Sequence, residues 1–303
     1  MIDILRVSNL PHDMLSVLQT TYLVHDRDHI TDPGALGRIR AMVSAGSTVI
    51  DRKLMMLFPA VEAICICGES LQSIDLAATA DRNIKVLHTP HVQNPDVAEF
   101  AIGMLLAATR RLAHADRFVR ISDWVDGPYP LTRRMSGGRL GLVGMGDLSQ
   151  AIAKRARAFD MQVHYTALQE VPLSGAVFHP SVKDLAAQVD FLMLAESGPD
   201  APAKAVNAEV LQLLGLNGYL INLANADAVD QAALLEAVQK KALGGAALDV
   251  FPEAPRVAAE LRNAPTVVLT PHIAAATHQA SKAMVESALR QLAEHFAQEP
   301  NPV

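Results

Sequence analysis

The sequence has few cysteines, no long apolar run and no excess of basic residues. Its two cysteines are Cys65 and Cys67. In a strand, their side chains would share one face in a geometry too strained for a disulfide, and two thiolates alone do not complete a zinc site. We therefore expect core thiols in a reducing compartment and no metal site. No segment approaches the roughly 18 consecutive apolar residues of a membrane-spanning helix, so we predict no membrane partner.

The charge balance is slightly acidic. A formal net charge of -6 leaves no basic surface large enough to follow a phosphate backbone, which argues against nucleic acid as a partner. The N-terminal run has Asp3 in its first apolar stretch and no basic segment, so we expect a cytoplasmic protein without a cleaved signal peptide. Arginines cluster at Arg110, Arg111, Arg133 and Arg134, where a solvated surface is favoured and an anion site is the alternative.

The length of 303 residues predicts two domains. Short apolar runs alternate with helical segments, which is typical of parallel βαβ units in an α/β protein with doubly wound sheets. A first series of strands is predicted near residues 2–7, 22–24, 41–43, 63–67 and 86–87. A second series is predicted from residue 139 and near 162–165, 191–194, 219–222, 245–249 and 267–269.

Pro90 and Pro95 precede a helix at 97–110 and mark a domain crossing. A last helix at about 277–296 is long enough to return to the first domain.

A glycine turn follows the predicted strand that begins at Arg139. Gly144 permits a tight turn, Gly146 lets a pyrophosphate approach the backbone, and Ser149 in place of a third glycine is small enough for close packing. The N-terminus of the following helix, predicted at 150–159, offers free amides and a partial positive charge to an anion. The pattern predicts a dinucleotide site, with a purely structural turn as the alternative, formed by Gly144, Met145, Gly146, Asp147, Leu148 and Ser149.

The choice between NAD and NADP stays open in the sequence. The strand at 162–165 is followed by Thr166, Ala167 and Leu168, where an acidic side chain would bind the ribose of NAD or an arginine the 2′-phosphate of NADP. Neither side chain is present there. We therefore predict NAD or NADP as the cofactor without distinguishing them.

Several further runs occur in a fixed order along the chain, at residues 124–131, 208–211, 220–222, 229–234, 245–251 and 269–273. With the glycine turn, they resemble the D-isomer-specific 2-hydroxyacid dehydrogenase family, and within it the hydroxypyruvate and hydroxyphenylpyruvate reductases, over nearly the full length. The resemblance implies a formate/glycerate dehydrogenase-like architecture of two doubly wound domains, both Rossmann-like or flavodoxin-like. A substrate domain would comprise residues 1–94 and 274–303, and an NAD(P)-binding domain residues 95–273. It also implies an active site in the cleft and a homodimer.

In that family an arginine binds the substrate carboxylate, a histidine moves the proton of the hydroxyl group, and a glutamate hydrogen-bonds the histidine. The resemblance places the histidine at His272, in the run Thr-Pro-His-Ile. The arginine position holds Asn225, which brings no charge and a shorter reach. The glutamate position holds Ala254, with Glu253 one residue earlier. An arginine from another element, Arg111 or Arg134, is an alternative source of the missing charge.

The resemblance also implies further contacts. Thr166, Ala224 and Asp249 are expected to contact the cofactor, and the loop Gly68, Glu69 and Ser70 is expected to bind the substrate, with Ser70 in place of a family glycine. The predicted function is an NAD(P)-dependent oxidoreductase that reduces a small 2-keto acid or related carbonyl compound with His272, Asn225 and Glu253. The alternatives are a catalytically impaired dinucleotide-binding sensor or scaffold, and an enzyme whose substrate lacks a 2-carboxylate.

Overall fold

The structure is a computed structural model that describes residues 1–30, 32–45, 48–68, 71–171, 175–196 and 203–297. The chain divides into two compact units, which we call unit 1 (Met1–Gln93 and Thr277–Val303) and unit 2 (Asn94–Ala276). The sequence-based boundaries, after residues 94 and 273, lie one and three residues from these. Across the described residues, no helix combines the length and the apolar character that crossing a bilayer requires.

Unit 1 contains a parallel sheet with strands β1 (Asp3–Arg6), β2 (Leu23–Asp26), β3 (Ile39–Ala45), β4 (Ala63–Cys67) and β5 (Lys85–Leu87). Its sheet order, β2-β1-β3-β4-β5, is the flavodoxin-like order. Between the strands lie α1 (His12–Thr21), α2 (Arg52–Met56), α3 (Leu76–Asp81) and short 3-10 helices at Arg27–His29 and Pro33–Gly37. Adjacent residues of the central strands are buried on both faces, as in Ile4 and Leu5, which is typical of a parallel sheet covered by helices.

Unit 2 contains a second parallel sheet. Its strands are β6 (Arg139–Val143), β7 (Gln162–Thr166), β8 (Ala176–Phe178), β9 (Phe191–Leu194), β10 (Tyr219–Asn222), β11 (Gly245–Leu248) and β12 (Val267–Leu269). Its helices are α4 (Asn94–Arg110), α5 (Leu112–Arg120), α6 (Asp147–Arg157), α7 (Val182–Ala186), α8 (Ala208–Leu214), α9 (Gln231–Gln239) and α10 (Ala259–Asn263), with 3-10 helices at Asp123–Val125 and Ala226–Ala228. The order β12-β11-β10-β9-β6-β7-β8 is the Rossmann order with β12 added at one edge.

Several elements of unit 2 differ from the sequence prediction. The helix α4 begins at Asn94, three residues before the predicted start at residue 97. The strand β8 was not predicted; it is three residues long and pairs with β7 alone at the edge of the sheet. The helix α6 begins at Asp147, three residues before the predicted start, because helical geometry follows directly on Gly146. The first turn of α6 therefore lies next to the glycine turn.

The C-terminal helix α11 (His278–Ala297) belongs to unit 1. Its buried residues Val285, Ala288 and Leu292 share one core cluster with Cys65 and Cys67 of β4. The prediction of core thiols is confirmed, since both cysteines are free and buried. Burial raises the pKa of Cys65 to about 12, with a smaller contribution from the neighbouring Cys67 thiol.

Candidate active site

The predicted site residues of unit 2 lie at one edge of its sheet. The glycine turn follows β6, Asn225 follows β10, Glu253 follows β11 and His272 follows β12. Because the strands are parallel, their carboxyl ends meet at the same edge, which is where doubly wound sheets bind ligands. The strands β6 and β9 are neighbours at the point where the strand order reverses, so the glycine turn lies at the topological switch point.

The glycine turn has the backbone geometry that the sequence predicts. Gly144 has a φ of 95°, in the left-handed region that favours glycine, and its N–H donates to the carbonyl oxygen of Thr166 at 2.9 Å. Gly146 is the N-cap residue of α6, and no side chain at that position caps the helix. The first amides of α6 are therefore available to an acceptor from another element.

That acceptor is the carboxylate of Glu196, which follows β9. The N–H of Gly146 donates to Glu196 Oε2 at 2.8 Å, and the N–H of Ser149 donates to Glu196 Oε1 at 2.8 Å. A Cβ atom added at Gly144 or Gly146 would lie 2.9 or 2.8 Å from Oε2. Both glycines are thus needed for this close approach, and the turn fits an anionic group.

The fit of a dinucleotide rests on the backbone of this turn and not on its side chains. Met145 and Ser149 are buried, and Ser149 Oγ has no hydrogen-bond partner among the described residues. Thr166 is also buried. The backbone amides of Gly146 and Ser149 are the groups that would hold a pyrophosphate.

The loop that carries His272 is held by a buried carboxylate. Asp249, directly after β11, is 0% exposed. Its Oδ1 accepts hydrogen bonds from Thr270 Oγ1 at 2.6 Å and from the N–H of Ile273 at 2.9 Å, and its Oδ2 accepts one from the N–H of Ala274 at 3.0 Å. No surface of Asp249 remains for a ligand in this conformation. In this conformation Asp249 therefore does not make the predicted cofactor contact.

His272 itself is exposed and has a φ of 57°. Left-handed backbone outside glycine persists where the surrounding structure imposes it, and such residues concentrate at functional sites. The hydrogen bonds that Asp249 accepts from Thr270 and Ile273, one before and one after His272, supply that constraint. The imidazole is thus presented to solvent from a fixed loop.

Asn225 lies in the loop that follows β10, in an exposed position. Its Oδ1 accepts from the N–H of Asp227 at 3.0 Å and caps the 3-10 helix at Ala226–Ala228. The buried Asn222 stabilises the loop, because its Nδ2 donates to the Asn225 carbonyl and its Oδ1 accepts from the N–H of Ala224. The side chain of Asn225 has a structural role, and its Nδ2 is the group left to meet a ligand.

Glu253 does not contact His272. Both residues are exposed, and in the part of the chain that the structure describes no hydrogen bond or ion pair joins them. The glutamate–histidine hydrogen bond that the family resemblance implies is thus not formed by Glu253 in this conformation.

Arg111 lies at the opposite edge of the unit 2 sheet. It borders a pocket with Arg133, Asp190, Asn217 and Gly244, and the last three precede β9, β10 and β11. This is the amino-terminal edge of parallel strands. The prediction that Arg111 could supply the missing positive charge beside His272 of the same chain is therefore wrong. Arg134 is exposed and follows Arg133, which donates to Asp190 at that same edge.

The predicted substrate loop lies in unit 1. Gly68 follows β4, and its carbonyl oxygen accepts from the N–H of Thr89 at 2.9 Å. Glu69 and Ser70 lie outside the described residues.

Sequence reasoning missed Glu196, Asn222 and the anchoring role of Asp249. For Glu196 a signal was present, since an acidic residue follows a predicted strand by two positions. Whether this residue reaches the glycine turn depends on the pairing of β9 with β6, which the sheet order shows and the sequence does not.

Comparisons with known proteins agree with this geometry. Residues 102–274 match the model of the D-isomer specific 2-hydroxyacid dehydrogenase, NAD binding domain. Glyoxylate/hydroxypyruvate reductase A of Arabidopsis thaliana is 37% identical over 259 residues, which cover 86% of this chain and 83% of that protein.

Two solved structures are similar over the whole chain. A 2-hydroxyacid dehydrogenase from Ketogulonicigenium vulgare Y25 has a TM-score of 0.92 at 33% identity, covering 100% of this chain and 98% of that one. An NADPH-dependent glyoxylate/hydroxypyruvate reductase from Sinorhizobium meliloti, in complex with citrate, has a TM-score of 0.90 at 31% identity with the same coverage of 100% and 98%. The chain belongs to the D-isomer specific 2-hydroxyacid dehydrogenase family, and its residues 102–274 match the NAD-binding domain of that family.

Proposed function

We propose that the protein is an NAD(P)-dependent reductase of a small 2-keto acid, with His272 as the proton donor. One observation carries the proposal: an anion-binding glycine turn and a constrained, exposed histidine lie at the same edge of one sheet. The relatives named as glyoxylate/hydroxypyruvate reductases support this substrate class. When bound, the nicotinamide supplies the hydride that adds to the carbonyl carbon.

In the proposed reaction, the protonated imidazole of His272 gives its proton to the carbonyl oxygen. The product is a 2-hydroxy acid, and the imidazole becomes neutral. A positioned general acid contributes about 10²–10⁴-fold to such a step. Asp249 acts as a positioning residue, since it accepts bonds from the Thr270 hydroxyl before His272 and from two backbone N–H groups after it, without reaching a ligand itself.

The substrate carboxylate is bound without the family arginine. We assign Asn225 Nδ2 as a donor to the carboxylate or the carbonyl, because Oδ1 is already engaged by Asp227. Gly68, Glu69 and Ser70 remain the proposed substrate loop, and unit 1 the proposed substrate domain. A neutral amide replaces a bidentate ion pair, so we expect a higher KM than an arginine at position 225 would give. Glu253 is assigned no direct role.

The test measures binding and turnover separately. Purified protein is titrated with NADH and NADPH by nicotinamide fluorescence, and oxidation is then followed with glyoxylate, hydroxypyruvate and phenylpyruvate. We expect binding with turnover, and a fall in kcat of about 10²-fold or more in His272→Asn with dinucleotide affinity unchanged. The matched control is His12→Asn, because His12 is a fully solvated histidine on α1 of unit 1. Equal kcat values in both variants would remove His272 from the mechanism.

The sensor or scaffold alternative has a separate test. Asn225→Arg combined with Ala254→Glu introduces the arginine and glutamate of the family. If the unchanged protein binds dinucleotide without turnover and the double variant gains turnover, the site is impaired only at these positions. Persistent inactivity with bound dinucleotide would favour the sensor.

We further propose a homodimer. Apolar side chains on α5 and the segment after it are exposed, with Val125 86% and Leu131 99% accessible, and Leu112, Val119 and Trp124 belong to the same segment. Such an apolar surface is typical of an interface. Sedimentation equilibrium is expected to give twice the chain mass of 32.5 kDa, and a monomer would contradict this assignment.

A further inference from the structure

The glycine turn of unit 2 is bound to an anion from the same chain. We propose that Glu196 is an internal competitor of the cofactor pyrophosphate and that it lowers the affinity of the protein for its dinucleotide. This inference rests on the dinucleotide binding of the proposed function. It concerns a residue that contributes nothing to the chemical step.

The competition follows from shared donors. The N–H groups of Gly146 and Ser149 point at the Glu196 carboxylate, each at 2.8 Å. Amides at the N-terminus of a helix after a Gly-x-Gly turn are the groups that bind a pyrophosphate in this fold. The same two N–H groups cannot donate to both anions at full strength. Dinucleotide binding at the turn therefore requires the carboxylate to leave.

Steric contact leads to the same conclusion. The carboxylate lies within 3.0 Å of the position that a Cβ at Gly146 would take, and its Oε2 lies 2.9 Å from that position at Gly144. The space that the two glycines leave open is the space through which a phosphate approaches the backbone. In this structure Glu196 fills it.

The carboxylate can leave by rotation of its own side chain. Glu196 is only partly buried and lies two residues beyond the end of β9, so its release does not require the strand to move. Once displaced, the residue still brings a negative charge to the neighbourhood of two phosphates, which opposes binding further. The apparent dissociation constant rises in inverse proportion to the fraction of protein whose turn is free of the carboxylate.

The experiment compares the full-length protein with Glu196→Ala and Glu196→Gln. NADH and NADPH are titrated by fluorescence, and thermal unfolding and hydrogen exchange of the peptide that covers residues 144–152 are measured without nucleotide. We expect Glu196→Ala to bind dinucleotide about ten-fold or more tightly, with Glu196→Gln in between. We also expect faster exchange of the Gly146 and Ser149 amides and a lower Tm in Glu196→Ala, because the helix loses its cap. Glu260→Ala is the control, since it removes an exposed carboxylate from α10 of the same unit.

The outcomes separate this inference from the proposed function. A lower Tm with unchanged dinucleotide affinity would make Glu196 a structural cap only and overturn the inference, while leaving the proposed function intact. Unchanged affinity, exchange and Tm would overturn it as well, because the contact would then be absent in solution. Binding by Glu196→Ala where the unchanged protein binds weakly or not at all supports it. Failure of every variant to bind NADH or NADPH overturns both proposals.

Discussion

Two loops at the carboxyl edge of the unit 2 sheet are each held by a carboxylate that accepts backbone N–H bonds, but the two carboxylates differ in burial. Asp249 is 0% exposed and binds Thr270, Ile273 and Ala274 around His272. Glu196 is partly exposed and binds Gly146 and Ser149 of the glycine turn. One carboxylate is closed to solvent, whereas the other is partly open to it.

Burial decides what each carboxylate can do. Because Asp249 is fully buried, its charge needs the three donors that surround it, so a buried anchor of this kind keeps its loop in one conformation. The amides bound by Glu196 lie behind a carboxylate that is partly exposed, so they can donate to a different anion once that side chain moves. His272, the proposed proton donor, is therefore held in place, while the glycine turn is adjustable.

The largest expected effect is that of Asp249→Ala. The substitution removes the acceptor of one hydroxyl and two backbone N–H groups, of which the Ala274 N–H is buried, so we expect the free energy of unfolding of unit 2 to fall by about 3–5 kcal/mol. Glu196→Ala removes an exposed helix cap and is expected to cost about 1 kcal/mol. Urea denaturation of both variants measures the difference.

Equal losses of unfolding free energy in Asp249→Ala and Glu196→Ala would contradict the difference between the two carboxylates. For the case in which Asp249→Ala does not fold, Asp249→Asn keeps an acceptor oxygen and the shape of the side chain. We expect it to fold with reduced stability and to lower kcat for a 2-keto acid, because the loop around His272 loosens. An unchanged kcat would show that the anchor does not position the histidine.

A smaller effect is expected from Thr270→Val. This change removes one of the three donors to Asp249, at 2.6 Å, and keeps the volume of the side chain. Hydrogen bonds to charged groups contribute about 1.5–3 kcal/mol, so we expect a loss near the lower end, since two N–H donors remain. Thr270→Ser restores the hydroxyl and is the matched control in the same denaturation experiment. A loss in Thr270→Ser as large as in Thr270→Val would assign the effect to packing.

Much of the fold could be predicted because buried parallel strands are continuous apolar runs. The strands β4, β9, β10 and β12 have the predicted bounds. The strand β8 was not predicted, although β12, which is also three residues long and lies at the other edge of the sheet, was. The glycine turn was predictable for a different reason: its backbone geometry and the close approach of an anion both require glycine.

The remaining features of the site depend on contacts between distant parts of the chain. Asp249 bonds to residues 21 to 25 positions further along the sequence, and Glu196 lies 47 and 50 positions from its donors. A carboxylate in a sequence does not show whether it will be buried among donors or exposed to solvent. That difference is set by the sheet order, which brings the ends of β6 and β9, and of β11 and β12, side by side.

The smallest expected effect on stability is that of Asn225→Ala, which tests a third loop at the same edge. The Asn225 side chain caps an exposed 3-10 helix, so its loss is expected to cost about 0.5–1 kcal/mol of unfolding free energy. Asn207→Ala is the matched control, because Asn207 Oδ1 caps α8 in the same way, with Val210 N–H as the donor at 3.1 Å. Both variants should lose similar stability in urea, but only Asn225→Ala should raise KM for a 2-keto acid. Equal KM values would mean that Asn225 serves its loop alone and that the carboxylate is bound elsewhere.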